Sequence, residues 1–142
     1  MKKILFFIGF VVLLGCSGTE KKVYQSYALV ITVELEGTRK SETKDTVHMD
    51  VDTVEASDPV AAYSKGVQRY AAMLMHIQQF PDSISGLKGL MIRDEAGNDV
   101  VPGIPQPKRD SVIMNFIQFA RRSSIPYYDR VKDFELKLMT AR

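Results

Sequence analysis

Hydrophobic and polar residues alternate in two successive stretches of the amino-terminal half. Leu29, Ile31, Val33 and Leu35 alternate with Val30, Thr32, Glu34 and Glu36, a period of two that predicts a strand over residues 23–36 with one apolar face. Residues 37–45 are polar and aperiodic, so they form a loop. Val47, Met49 and Val51 then alternate with His48, Asp50 and Asp52. Two amphipathic strands around a polar loop predict an antiparallel hairpin with one wet face.

The period then changes. Val60, Tyr63, Val67, Tyr70, Leu74 and Ile77 recur at steps of three and four, which predicts a helix over residues 58–79 with one apolar stripe. Asp58 is a good N-cap, Pro59 fits the first helical position, and Pro81 ends the element. Residues 87–93 and 100–102 flank Asp94-Glu95-Ala96-Gly97-Asn98-Asp99, whose Gly97 and Asn98 suit a turn, so a second hairpin is expected. Residues 102–107 contain three prolines and read as an extended connector. Asp110 or Ser111 caps a second helix running to about residue 122. Phe134, Leu136 and Leu138 alternate as in a strand, although Tyr127, Val131, Phe134 and Leu138 also fit a helix; the strand is favoured because Ile125-Pro126 separates it from the preceding helix. The expectation is a small single α+β domain over residues 23–142. Its antiparallel sheet would have four or five strands, with two helices packed on one face.

The residues before this domain follow another logic. Lys2 and Lys3 precede an apolar run over residues 4–14, broken only by Gly9, and Leu13-Leu14-Gly15 leads to Cys16, the one cysteine of the chain. A basic start, a short apolar segment and a small residue form a secretory signal; the run is too short to span a bilayer, which takes about 20 residues. Leu13-Leu14-Gly15-Cys16 closely resembles the lipobox of bacterial lipoproteins. That resemblance implies cleavage after residue 15, a diacylglyceryl group on the sulfur of Cys16 and usually acylation of the new amino terminus. Ser17, the next residue, resembles the outer-membrane class of diderm lipoproteins, so a site on the outer membrane facing the periplasm is expected. Residues 17–22 are a polar tether reaching about 20 Å when fully extended.

Charge narrows the partners. Residues 16–142 number 127 and carry 17 basic and 17 acidic side chains, because the formal excess of +2 belongs to Lys2 and Lys3. Net neutrality argues against nucleic acid and against a polybasic membrane clamp. The charge is nevertheless uneven, −4 over residues 16–99 and +4 over residues 100–142, a dipole that could orient a partner or be neutralised within the fold. With Cys16 lipidated, no thiol remains for a disulfide, a nucleophile or a metal site.

Two clusters could hold a metal. His48, Asp50 and Asp52 share one face of the second strand, about 7 Å apart at each step, a set that suits a divalent cation or acid–base chemistry but also suits a solvated strand face. Met73 and His76 lie three apart on the helix and could take Cu(I), whereas methionine is also an ordinary core filler. The loop 94–99 lacks the ligand order of a calcium loop. No nucleophile elbow, glycine-rich phosphate loop or zinc-protease motif is present. No catalytic residue and no cofactor are therefore assigned.

The function expected is a membrane-anchored envelope module that binds a protein partner without catalysis. It would be an accessory component of an envelope assembly or an inhibitor or immunity-type protein. A periplasmic metal-binding lipoprotein is the alternative. The partner surface expected combines Lys108, Arg109, Arg121, Arg122, Tyr127 and Tyr128, because arginine and tyrosine are common hot-spot residues and this third carries the positive charge.

Overall fold

The structure, a computed structural model, describes residues 22–35, 45–76, 84–123 and 133–141. Three antiparallel strands, β1 (Gln25–Leu35), β2 (Thr46–Ala56) and β3 (Ile84–Arg93), form one sheet in the order β2-β1-β3. Helix α1 (Pro59–Met75) links β2 to β3, α2 (Gln106–Arg122) comes after β3, and α3 (Phe134–Leu138) lies near the carboxyl end. The α+β class is as expected, but the strands described are three and the helices three.

The alternation in β1 places Tyr27, Leu29, Ile31 and Val33 in the core, where they meet Tyr63, Val67, Tyr70 and Leu74 of α1. The stripe read from three- and four-residue steps is therefore the buried side of that helix, and Tyr63 and Tyr70 are core residues rather than contact residues. Asp58 caps it, accepting a hydrogen bond from the N–H of Ala61 at 2.9 Å, and Pro59 opens it. Gly66 lets α1 close on β3: a Cβ there would come within 2.7 Å of the Ile92 side chain and 2.9 Å of Leu90. The helix ends earlier than the expected residue 79, at Met75 with His76 as its C-cap; residues 77–79 lie outside the described residues.

Three expectations are corrected. The second hairpin shrinks to a single bridge, Arg93 to Asp99, with the N–H of Val100 donating to Ile92 at 2.8 Å. The Asp99 carboxylate takes over where a ladder would continue, accepting from the N–H groups of Ile92 at 3.2 Å and Val101 at 3.1 Å. Pro102 then sits in a short 3₁₀ turn, Val101–Gly103, since a proline cannot donate to a ladder.

The second helix starts earlier than Asp110. Pro105 stands at its cap and Pro107 falls in its first turn, where a missing N–H leaves no bond unmade. The N–H groups of Lys108 and Arg109 donate to the Pro105 carbonyl at 2.9 and 3.2 Å.

The last segment is a helix, not a strand. Phe134 and Leu138, one helical turn apart, are both buried while Leu136 between them is 70% exposed. Apolar residues at alternate positions did not share a face; an i, i+4 pair did.

Candidate functional site

Three pieces of chain converge beside the amino-terminal turns of α1 and α2 and leave a groove of about 910 Å³. Val60 and Ala61 of α1, Ile104 from the connection after β3 and Val112 of α2 supply an apolar lining. Asp58, Asp99 and Lys108 stand among its polar residues. The groove lies where α2 packs on α1, with Ile113 and Ile117 of α2 buried in the core they share, and where Ile104 and Pro105 stand beside the start of α1.

Its charges are mostly committed. The Asp58 carboxyl is held below the usual carboxylate range, chiefly by the Ala61 N–H, with a further bond from the Ser57 hydroxyl and attraction from Lys108. Asp99 serves two backbone N–H groups. Ser64 is the one hydroxyl side chain of the lining, and neither histidine is part of it. This arrangement can receive an apolar group beside a cation; it assembles no nucleophile with a base.

The depressed pKa of Asp58 makes a sign prediction. Its ionised form is favoured in the fold, so its contribution is complete above the unfolded carboxyl pKa and is lost as pH falls through the lower folded value. Asp58→Ala should lower stability by about 1 kcal/mol at neutral pH, as loss of an N-cap does. The deficit should shrink in acid, and urea melts of both proteins at neutral and acidic pH would test it. A deficit unchanged at the lowest pH would show that the carboxylate is not what caps α1.

A sheet irregularity separates the first metal candidate set. His48 lies opposite Thr32 and Asp50 opposite Val30, but Asp52 lies opposite Leu29, because Val51 is an extra residue in β2. The bulge turns Asp52 to the helix side, where its carboxylate meets the Arg69 guanidinium at 3.6 Å. His48 remains on the other face, its Nδ1 3.1 Å from the Thr32 hydroxyl. In the second set, Met73 packs against the core while His76 is the exposed C-cap of α1. Among the described residues, no three side chains of histidine, cysteine, aspartate or glutamate gather as a metal site.

The expected partner residues are also divided. Lys108 and Arg109 sit in the first turn of α2, and Arg121 and Arg122 in its last, about 20 Å away along the axis. Arg109 donates to Gln106 Oε1 at 2.6 Å, and Lys108 belongs to the groove. Arg121 donates to Glu135 of α3 at 2.9 Å, whereas Arg122 is exposed. Tyr127 and Tyr128, like Cys16 and the leader, lie outside the described residues.

Periodicity alone did not single out Phe119. It is 59% exposed near the arginine end of α2, with its ring centroid 6.5 Å from that of the half-buried Phe116. The helical phase held the signal: Val112, Phe116 and Phe119 succeed one another at steps of four and three, beside the buried Ile113-Ile117-Ala120 stripe rather than within it. No protein-family model, curated protein or solved structure matches the chain.

Proposed function

We propose that the protein is a lipid-anchored module of the bacterial envelope that acts by binding a protein partner. The observation that carries this reading is Leu13-Leu14-Gly15-Cys16 at the end of a basic and apolar leader, with the only cysteine of the chain at the acylation position. The exposed Phe119 near the end of α2 supports a binding role. Residue Ser17 supports the outer membrane, periplasmic side. The bulge at Val51 removes geometric support from the His48, Asp50 and Asp52 set alone, so Met73 and His76 remain the residues on which a metal-binding reading would rest.

The partner surface is narrowed to the carboxyl-terminal turns of α2, where Phe119, Arg121 and Arg122 combine an exposed aromatic with two cations. An acidic partner suits it, with association weakening as salt screens the exposed charges. Arg121→Glu with Arg122→Glu should sharply reduce co-purification of the strongest partner from detergent-solubilised membranes. Folding should survive, since an exposed ion pair such as Arg121–Glu135 contributes at most about 1 kcal/mol. Undiminished capture by a folded double variant would eliminate this surface. Tight stoichiometric binding of Cu(I) or Zn(II) to the purified protein would overturn the binding-module reading in favour of the metal one.

A further inference from the structure

The domain is polar in a geometrical sense: its connections divide between two ends. At one end β1 begins, β2 and β3 finish, and α1 and α2 start. Gln25 lies opposite Ala56, two residues before the Asp58 cap, and Ala28 lies opposite Arg93, after which the chain turns through residues 94–97. The side chain of Tyr27 marks the inner wall of this end. Burial raises its pKa, and so do the carboxylates of Asp58, Asp94 and Glu95, which come from two different connections. At the opposite end β1 finishes, β2 and β3 begin and α2 runs out. Phe119 lies 13 residues along the helix from Gln106 and hence about 20 Å from the first end.

We propose that the first end rests on the lipid surface, with Val23, Tyr24, Pro102 and Gly103 at the headgroup boundary. The inference rests on the lipid attachment at Cys16 proposed above. From Cys16 to Lys22 the chain advances six residues, at most about 20 Å, so the end that bears Lys22 stays within that distance of the anchor.

This end is also built to touch a lipid interface. Val23 is 76% and Tyr24 59% exposed, side by side where the chain enters β1, and an aromatic ring with a polar tip suits the headgroup region. Pro102 and Gly103 are exposed and uncharged. Lys22 and Lys108 are exposed cations available to lipid phosphates. Three nearby carboxylates accept from backbone N–H donors, Asp58 from Ala61, Asp94 from Asn98 and Asp99 from Ile92 and Val101. Exposed Glu55 and Glu95 at the same end stand against Lys22 and Lys108, so its mixed charge suits a zwitterionic lipid surface rather than an anionic one. Phe119 and Arg122 then face away from the membrane, where a partner can reach them.

The chain contains no tryptophan, so one introduced indole reports its own surroundings. Tyr24→Trp and Phe119→Trp replace aromatics of equal exposure, 59% each, at opposite ends of the domain. The full-length lipidated protein bearing either change would be reconstituted into phosphatidylcholine vesicles, plain or brominated on the acyl chains. We expect bromination to quench the Tyr24→Trp emission by at least half and to leave that of Phe119→Trp nearly unchanged. Val23→Trp provides a second reporter of the same end should Tyr24→Trp lower the melting temperature. Equal quenching at both ends, or stronger quenching at Phe119→Trp, would overturn the orientation while co-flotation with the vesicles upholds the anchor. Failure to co-float would overturn the anchor and the orientation together.

Discussion

Replacing Val67 by aspartate should abolish the folded domain. Val67 is fully buried in the stripe of α1 that also buries Tyr63, Tyr70 and Leu74. A carboxylate there has no cation among the residues that form the core cluster. Burying an unpaired charge costs several kcal/mol, either directly or through forced protonation. A domain has only about 5–15 kcal/mol to lose, so circular dichroism should record lost or much weakened melting and limited proteolysis should cleave rapidly. Gln68→Asp is the control: Gln68 is exposed one residue away, and surface changes stay within about 0.5 kcal/mol. A Val67→Asp protein that melts with the unsubstituted one would show that α1 buries a different side.

The second large effect concerns location. Cys16→Ser removes the sulfur on which the proposed lipid is built, and the protein should move from the membrane fraction to the soluble fraction or accumulate unprocessed. The size reflects chain length, since each buried CH₂ contributes about 0.8 kcal/mol and two or more acyl chains act together. Among the described residues, no helix is long and apolar enough to cross a membrane, so no described element competes with the lipid as a spanning anchor. Fractionation of cells expressing either form decides the matter. Equal membrane partitioning of a Cys16→Ser protein that is processed to the same length as the unsubstituted one would sink the lipoprotein reading.

The two effects differ in how far the chain alone announced them. The buried stripe of α1 was legible because every one of its positions obeys a single period and because Asp58-Pro59 marks the start; local and global preferences agree there. The strands β1 and β2 were legible for the same reason, although β2 runs on to Ala56. The candidate metal face failed on one residue. A period of two assumes an unbroken ladder, and the bulge at Val51 shifts Asp52 to the other side. No feature of the isolated strand requires that bulge; it arises from pairing with β1.

The carboxyl-terminal part shows the same limit. Phe134, Leu136 and Leu138 fit either period over five residues, too few for a pattern to decide, and a helix so short is stabilised only by what it packs against. Here α3 packs on α1, and the Tyr63 hydroxyl donates to the Ala141 carbonyl at 2.8 Å just beyond it. The expected partner cluster failed for a reason of distance: Arg109 and Arg121 are close in composition but lie in the first and last turns of one helix. Phe119 was hidden because an exposed and a buried aromatic look alike until the neighbouring helix is in place.

By itself, then, the chain raised the proposal of a lipid at Cys16 and determined the neutral charge of residues 16–142, the hairpin of β1 and β2 and the inward side of α1. Each of these depends on residues close in sequence or on one long, regular period. Only the tertiary structure decided that three described strands suffice, that Asp99 ends the third with its carboxylate, that the carboxyl-terminal segment coils, and that a groove opens between α1 and α2. Those outcomes depend on contacts between residues far apart in the chain, whose energies are not written into any local pattern.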